Sequence, residues 1–192
     1  SYIGAGSSGG VATITGSGTS WNNATGLYVG AQSTSVTGYF GTLNVQAGGR
    51  IQVGDDSFDS GSGAEMVIGD TVSGRGVFAV RSGTVTNAGS SYIGATSGKT
   101  GSAVVSGSTW TSGTGLFLGG PNATTNGGVG SLSVSNGGRV QIGNDTSGSG
   151  IVVGDSVATN GTLVVRNGST ISNTGSASIG LSGGRTGSAI VT

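Results

Sequence analysis

The sequence predicts an all-β fold: a right-handed parallel β-helix, roughly triangular in section, with three short strands per coil and about seven coils. Three observations carry that prediction. Short segments in which apolar and polar residues alternate recur along the whole chain, which is the period of a strand with one buried face. The segments repeat at a short and at a long period. Glycine, 44 of 192 residues, gathers between the segments and shows no G-X-Y period. Disordered chains combine low hydrophobicity with high net charge. Here 33% of residues are apolar, many of them β-branched, and the 7 basic residues balance the 7 acidic ones. No segment has helical periodicity.

Each unit opens with a segment that closes on a glycine: Gly4, Gly30, Gly69, Gly94, Gly119, Gly154 and Gly180. Six complete units and part of another follow. The first segment places Leu27/Val29, Met66/Ile68, Leu116/Leu118 and Ile151/Val153 inward, with Ile3, Ile93 and Ile179 in shorter versions. The second places Ala12/Ile14, Leu43/Val45, Phe78/Val80, Ala103/Val105, Leu132/Val134, Leu163/Val165 and Ala189/Val191 inward. The third contributes Trp21, Ile51, Val85, Trp110, Val140 and Ile171. Gly, Asn and Ser between segments supply tight corners. Handedness follows the crossover rule for parallel strands.

Side-chain volumes support the register. Ala12 and Ala103 share their units with Trp21 and Trp110, whereas neighbouring units pair Leu or Phe with Ile or Val. A closed core of fixed volume requires that coupling. Trp21 and Trp110 also mark the long repeat, as do Gly49-Arg50-Ile51-Gln52-Val53-Gly54 and Gly138-Arg139-Val140-Gln141-Ile142-Gly143. The chain therefore reads as one continuous solenoid segment, 1–192, with long repeats 1–89 and 90–175 and a partial repeat 176–192. Both ends fall inside repeats and no signal peptide opens the chain, so it is expected to be a window of a longer protein with adhesive end coils.

Charge and composition narrow the function classes. Zero net charge predicts no nucleic-acid or anionic-membrane partner, because both need a basic patch. No apolar run is long enough to span a bilayer. The absence of Cys excludes a disulfide framework and thiolate metal sites.

The run Gly41-Thr42-Leu43-Asn44-Val45-Gln46-Ala47-Gly48-Gly49 is similar to the repeats of bacterial type V autotransporter passengers and PEP-CTERM-associated surface proteins. Tyr2-Ile3-Gly4, Leu27-Tyr28-Val29-Gly30 and Val104-Val105-Ser106-Gly107-Ser108-Thr109-Trp110 add to the resemblance, which covers essentially the whole chain. It implies a secreted β-solenoid at the bacterial cell surface or outside the cell, commonly a stalk or adhesin.

Several residue groups are candidates for chemistry or contact. Asp55, Ser57 and Asp59 space oxygens as a calcium loop does, but Gly61 comes one residue late and Glu65 stands at the eleventh place instead of the twelfth. The competing reading is a solvated insertion, and no other cofactor is expected. A polysaccharide lyase or hydrolase would need acids and bases converging on one cleft. Asp70 and its repeat partner Asp155 stand three coils apart, about 14 Å, so the chain is expected not to be an enzyme. Arg50 and Arg139, like Arg81 and Arg166, match across the long repeat and read as solubilising edge charges. Outward positions of the first segment run Tyr2, Tyr28, Val67, Tyr92, Phe117, Val152 and Ser178, a partly aromatic stripe. Aromatics suit interfaces and sugars, and they also suit plain stacking on a sheet face. Tyr39 and Phe40 are expected to lie exposed on a loop inserted in the second unit.

The expected function is a structural extracellular solenoid, a fibre or stalk, with self-association or neighbouring surface proteins as partners. The alternative is an adhesin or carbohydrate-binding passenger, with polysaccharide as ligand. A polysaccharide lyase comes third.

Overall fold

The computed structural model describes residues 1–4, 9–30, 40–54, 65–69, 75–94, 99–120, 127–143, 150–154, 160–180 and 186–192. Strands β1 (Tyr2–Ile3), β2 (Gly10–Thr15) and β3 (Ser20–Asn23) make the first coil, and β4 (Leu27–Val29), β5 (Phe40–Gln46) and β6 (Arg50–Val53) the second. The third holds β7 (Met66–Ile68), β8 (Arg75–Arg81) and β9 (Thr84–Asn87); the fourth holds β10 (Ser91–Ile93), β11 (Thr100–Ser106) and β12 (Thr109–Ser112). The fifth comprises β13 (Gly115–Leu118), β14 (Val129–Ser135) and β15 (Arg139–Ile142). In the sixth are β16 (Gly150–Val153), β17 (Asn160–Val165) and β18 (Thr170–Asn173), and in the seventh β19 (Ser176–Ile179) and β20 (Thr186–Val191). Among the described residues every regular element is a strand.

Every third strand pairs, always in parallel. The first strands of the coils form one seven-stranded sheet, the second strands another, and the third strands a six-stranded sheet. The result is the three-sided parallel β-helix that alternation and glycine spacing predict. The inward columns also stand as expected. Trp21, Ile51, Val85, Trp110, Val140 and Ile171 are mutual register partners on the third wall. Ala12, Leu43, Phe78, Ala103, Leu132, Leu163 and Ala189 are partners on the second. Through the first six coils these residues and those of the first wall form one hydrophobic cluster from Ile3 to Val165, with Ala12, Trp21 and Ile171 partly buried against it, whereas Ile179, Ala189 and Val191 of the seventh coil are exposed.

The coupling of large and small residues has a direct geometric cause. Ala103, in β11, lies in register between Phe78 and Leu132. The room it leaves is taken by Trp110, fully buried, whose ring meets Phe78 edge to face with centroids 5.3 Å apart. The compensation thus works between adjacent coils as well as within one.

Glycines lock the corner between the first and second walls. Gly94 ends the first strand of its coil with φ of +66°, a left-handed conformation that spares the chain the Cβ clash other residues meet. Gly101 then faces inward at the start of the next wall, packed on that corner. A Cβ added to it would stand 2.2 Å from the carbonyl oxygen of Ile68 and 2.5 Å from the nitrogen of Gly94. The inward glycine recurs in register as Gly10, Gly41, Gly76, Gly101, Gly130, Gly161 and Gly187. The Gly-x-Leu-x-Val motif is therefore three successive inward positions, the first reserved for a residue without a side chain.

Candidate interaction surface

The outward column of the first wall holds the aromatic stripe. Tyr2, Tyr28, Val67, Tyr92, Phe117, Val152 and Ser178 are register partners in that order. Tyr2 and Tyr28 stack with ring centroids 4.9 Å apart and planes 15° from parallel; Tyr92 and Phe117 stack at 5.1 Å and 14°. Val67, 5% exposed, separates the two pairs. These centroid separations match the 4.7–4.9 Å between neighbouring strands, so the rings stack along the solenoid axis with their faces turned on one another. Two rings also lie back along their own strands. The Tyr28 ring stands over Gly26 and the Phe117 ring over Gly115, where an added Cβ would meet ring carbons at 2.7 Å in both cases. Burial, opposed by a hydrogen bond with Ser90 and helped by the charge of Glu65, raises the Tyr92 phenol above its ordinary value of 10.0.

Phe40, expected on a loop, instead begins β5 in register with Arg75. It points outward and is 57% exposed. The insertion preceding it hides the start of the strand, whose outward residues Thr42 and Asn44 continue its alternation. Val129, its counterpart in the long repeat, likewise begins β14 and is exposed. Tyr39 lies outside the described residues, as do Asp55, Ser57, Asp59, Asp70 and Asp155. Arg50, Arg75, Arg81, Arg139 and Arg166 are all exposed. Among the described residues no group of acidic, Cys or His side chains could hold a metal ion. An open recess of about 260 Å³ is lined by Asn22, Asn23, Ala24, Gln52 and Gly54. Its amides can donate and accept hydrogen bonds but cannot take or release a proton near neutral pH.

One set of polar residues is missed by the hydrophobic pattern. Asn87, Ser91 and Ser112 are fully buried where the third wall turns into the first. The Asn87 amide nitrogen donates to Ser90 O at 2.8 Å, to Ser91 Oγ at 3.0 Å and to Gly89 O at 3.1 Å. Ser112 Oγ lies 2.9 Å from Ser91 Oγ and 2.8 Å from Gly115 O. Asn23 and Asn173 cap the same corner, with their amide nitrogens on Gly26 O and Ser176 O, each at 2.7 Å. Coils that close this corner in a few residues place Asn or Ser at its inward position, where the side chain satisfies turn carbonyls. In the coils with an insertion there, the register partners are Val53 and Ile142. Insertion length and polarity at that one position were the available signal.

No family model, curated protein or solved structure matches the chain.

Proposed function

We propose that the chain is a non-catalytic structural segment of a fibre or stalk at the bacterial cell surface, of the kind its autotransporter-like motifs suggest. The observation that supports this best is the unbroken pairing of the first two walls through all seven coils and of the third through the first six. Such a stack adds length with each coil, about 4.8 Å at a time, and shares one core along its axis. A rod of this construction is stiff because each interior coil is hydrogen-bonded on both sides. The stripe fits this role better than glycan recognition. Sugars stack on open ring faces, and in both aromatic pairs one face of each ring is taken up by its partner.

Electron microscopy of intact cells, labelled with an antibody against this chain, tests the reading. Gold confined to thread-like surface structures is the expected result. Label that needs permeabilised cells, or a polysaccharide-cleaving activity of the purified chain, would overturn it.

A further inference from the structure

We propose that Tyr2 and Tyr28 form an oxidative modification site, at which a peroxidase with hydrogen peroxide couples the two rings into a dityrosine that staples the first coil to the second. The two phenols are register partners on adjacent strands, stacked at 4.9 Å and 15°, a centroid separation in the range of offset-stacked aromatic pairs. The strands holding them are fixed on both sides of the pair. Tyr28 N donates to Ser1 O at 2.9 Å, and Gly30 N donates to Ile3 O at 2.9 Å. Tyr2 is 53% exposed, so an oxidant can reach it from solvent.

The chemistry balances. Each phenol loses one electron and one proton to give a phenoxyl radical. The two radicals share their unpaired electrons in a new bond between carbons ortho to the oxygens. The hydrogen on each joined carbon then moves to oxygen, restoring both phenols. Two electrons and two protons leave in total, and hydrogen peroxide takes them up as two molecules of water. The second stacked pair has the same geometry but only one phenol: Tyr92 faces Phe117, which cannot form a phenoxyl radical. Tyr28 and Tyr92 are two coils apart with Val67 between them, about 9.5 Å, too far to bond.

The test is to treat the dilute chain with peroxidase and hydrogen peroxide, then measure dityrosine fluorescence, intact mass and peptide linkage. The expected product is a monomer lighter by two hydrogens, with the Tyr2 peptide joined to the Tyr28 peptide and a raised melting temperature. Tyr28→Phe keeps the ring stack and should drop the emission and the mass change to background. Tyr92→Phe should leave both as they are. Absence of dityrosine in the monomer, coupling found only between molecules, linkage through Tyr39 or Tyr92, or undiminished emission from Tyr28→Phe would each overturn the proposal.

Discussion

Trp110 and Ala103 show how a single pair of residues sets the width of the core. Removing the indole leaves a void beneath Phe78 in the middle of the stack, where neighbouring coils on both sides resist collapse. Trp110→Ala should therefore cost about 3–5 kcal/mol. Ala103→Leu alone should overpack the same space and cost about 1–3 kcal/mol. The double variant should recover part of the Trp110→Ala loss, and denaturant melts of the three chains check it; strict additivity would contradict the shared cavity. Trp21 is only half-buried in the first coil, so Trp21→Ala should cost less than its counterpart. Tyr92 offers a pH test. Its folded pKa lies above the unfolded one, so the folded state holds the proton more tightly. The resulting stabilisation is fully present below the ordinary tyrosine value of 10.0 and is lost as pH rises through the higher folded value. Tyr92→Phe should flatten that alkaline part of the stability profile, and an unchanged profile would contradict it.

At the scale of the strand, the inward glycine at the head of each second-wall strand matters as much as a large apolar residue. It lets that wall close on the left-handed corner of its own coil. Gly101→Ala would push a methyl group into backbone that has no flexible end to yield, so it should destabilise by about 3 kcal/mol or more. Gly137, at the next corner, has nothing within 4 Å of an added Cβ, and its φ of +73° suits Asn. Gly137→Asn should therefore stay within about 1 kcal/mol of the parent chain. Equal losses in thermal melts of the two variants would show that corner conformation dominates over packing. These strands were legible in the sequence because alternation and repetition agree on which residues face inward. The Asn87–Ser91–Ser112 cluster was not, because a polar residue at an inward position reads as an interruption of the pattern until its partners are known. Phe40 reads as a loop residue because the insertion before it masks where alternation begins. Sequence also left open whether the aromatic stripe faces outward or stacks on itself, since both arrangements use the same outward position and only ring orientation separates them.

Across the whole molecule, sequence distance is converted into axial length at a constant rate, one strand spacing per coil, whatever the loops between strands contain. Asn22, Thr111, Gln141 and Ser172 share one outward column of the third wall, in the first, fourth, fifth and sixth coils. Their outward positions allow spin labels without disturbing the core. Electron–electron distance measurements between a label at Asn22 and a second at Thr111, Gln141 or Ser172 test the claim most directly. The prediction is three narrow distributions rising in equal steps, near 14, 19 and about 24 Å. Broad distributions, or distances that fail to grow by one strand spacing per coil, would contradict the solenoid and with it the rod.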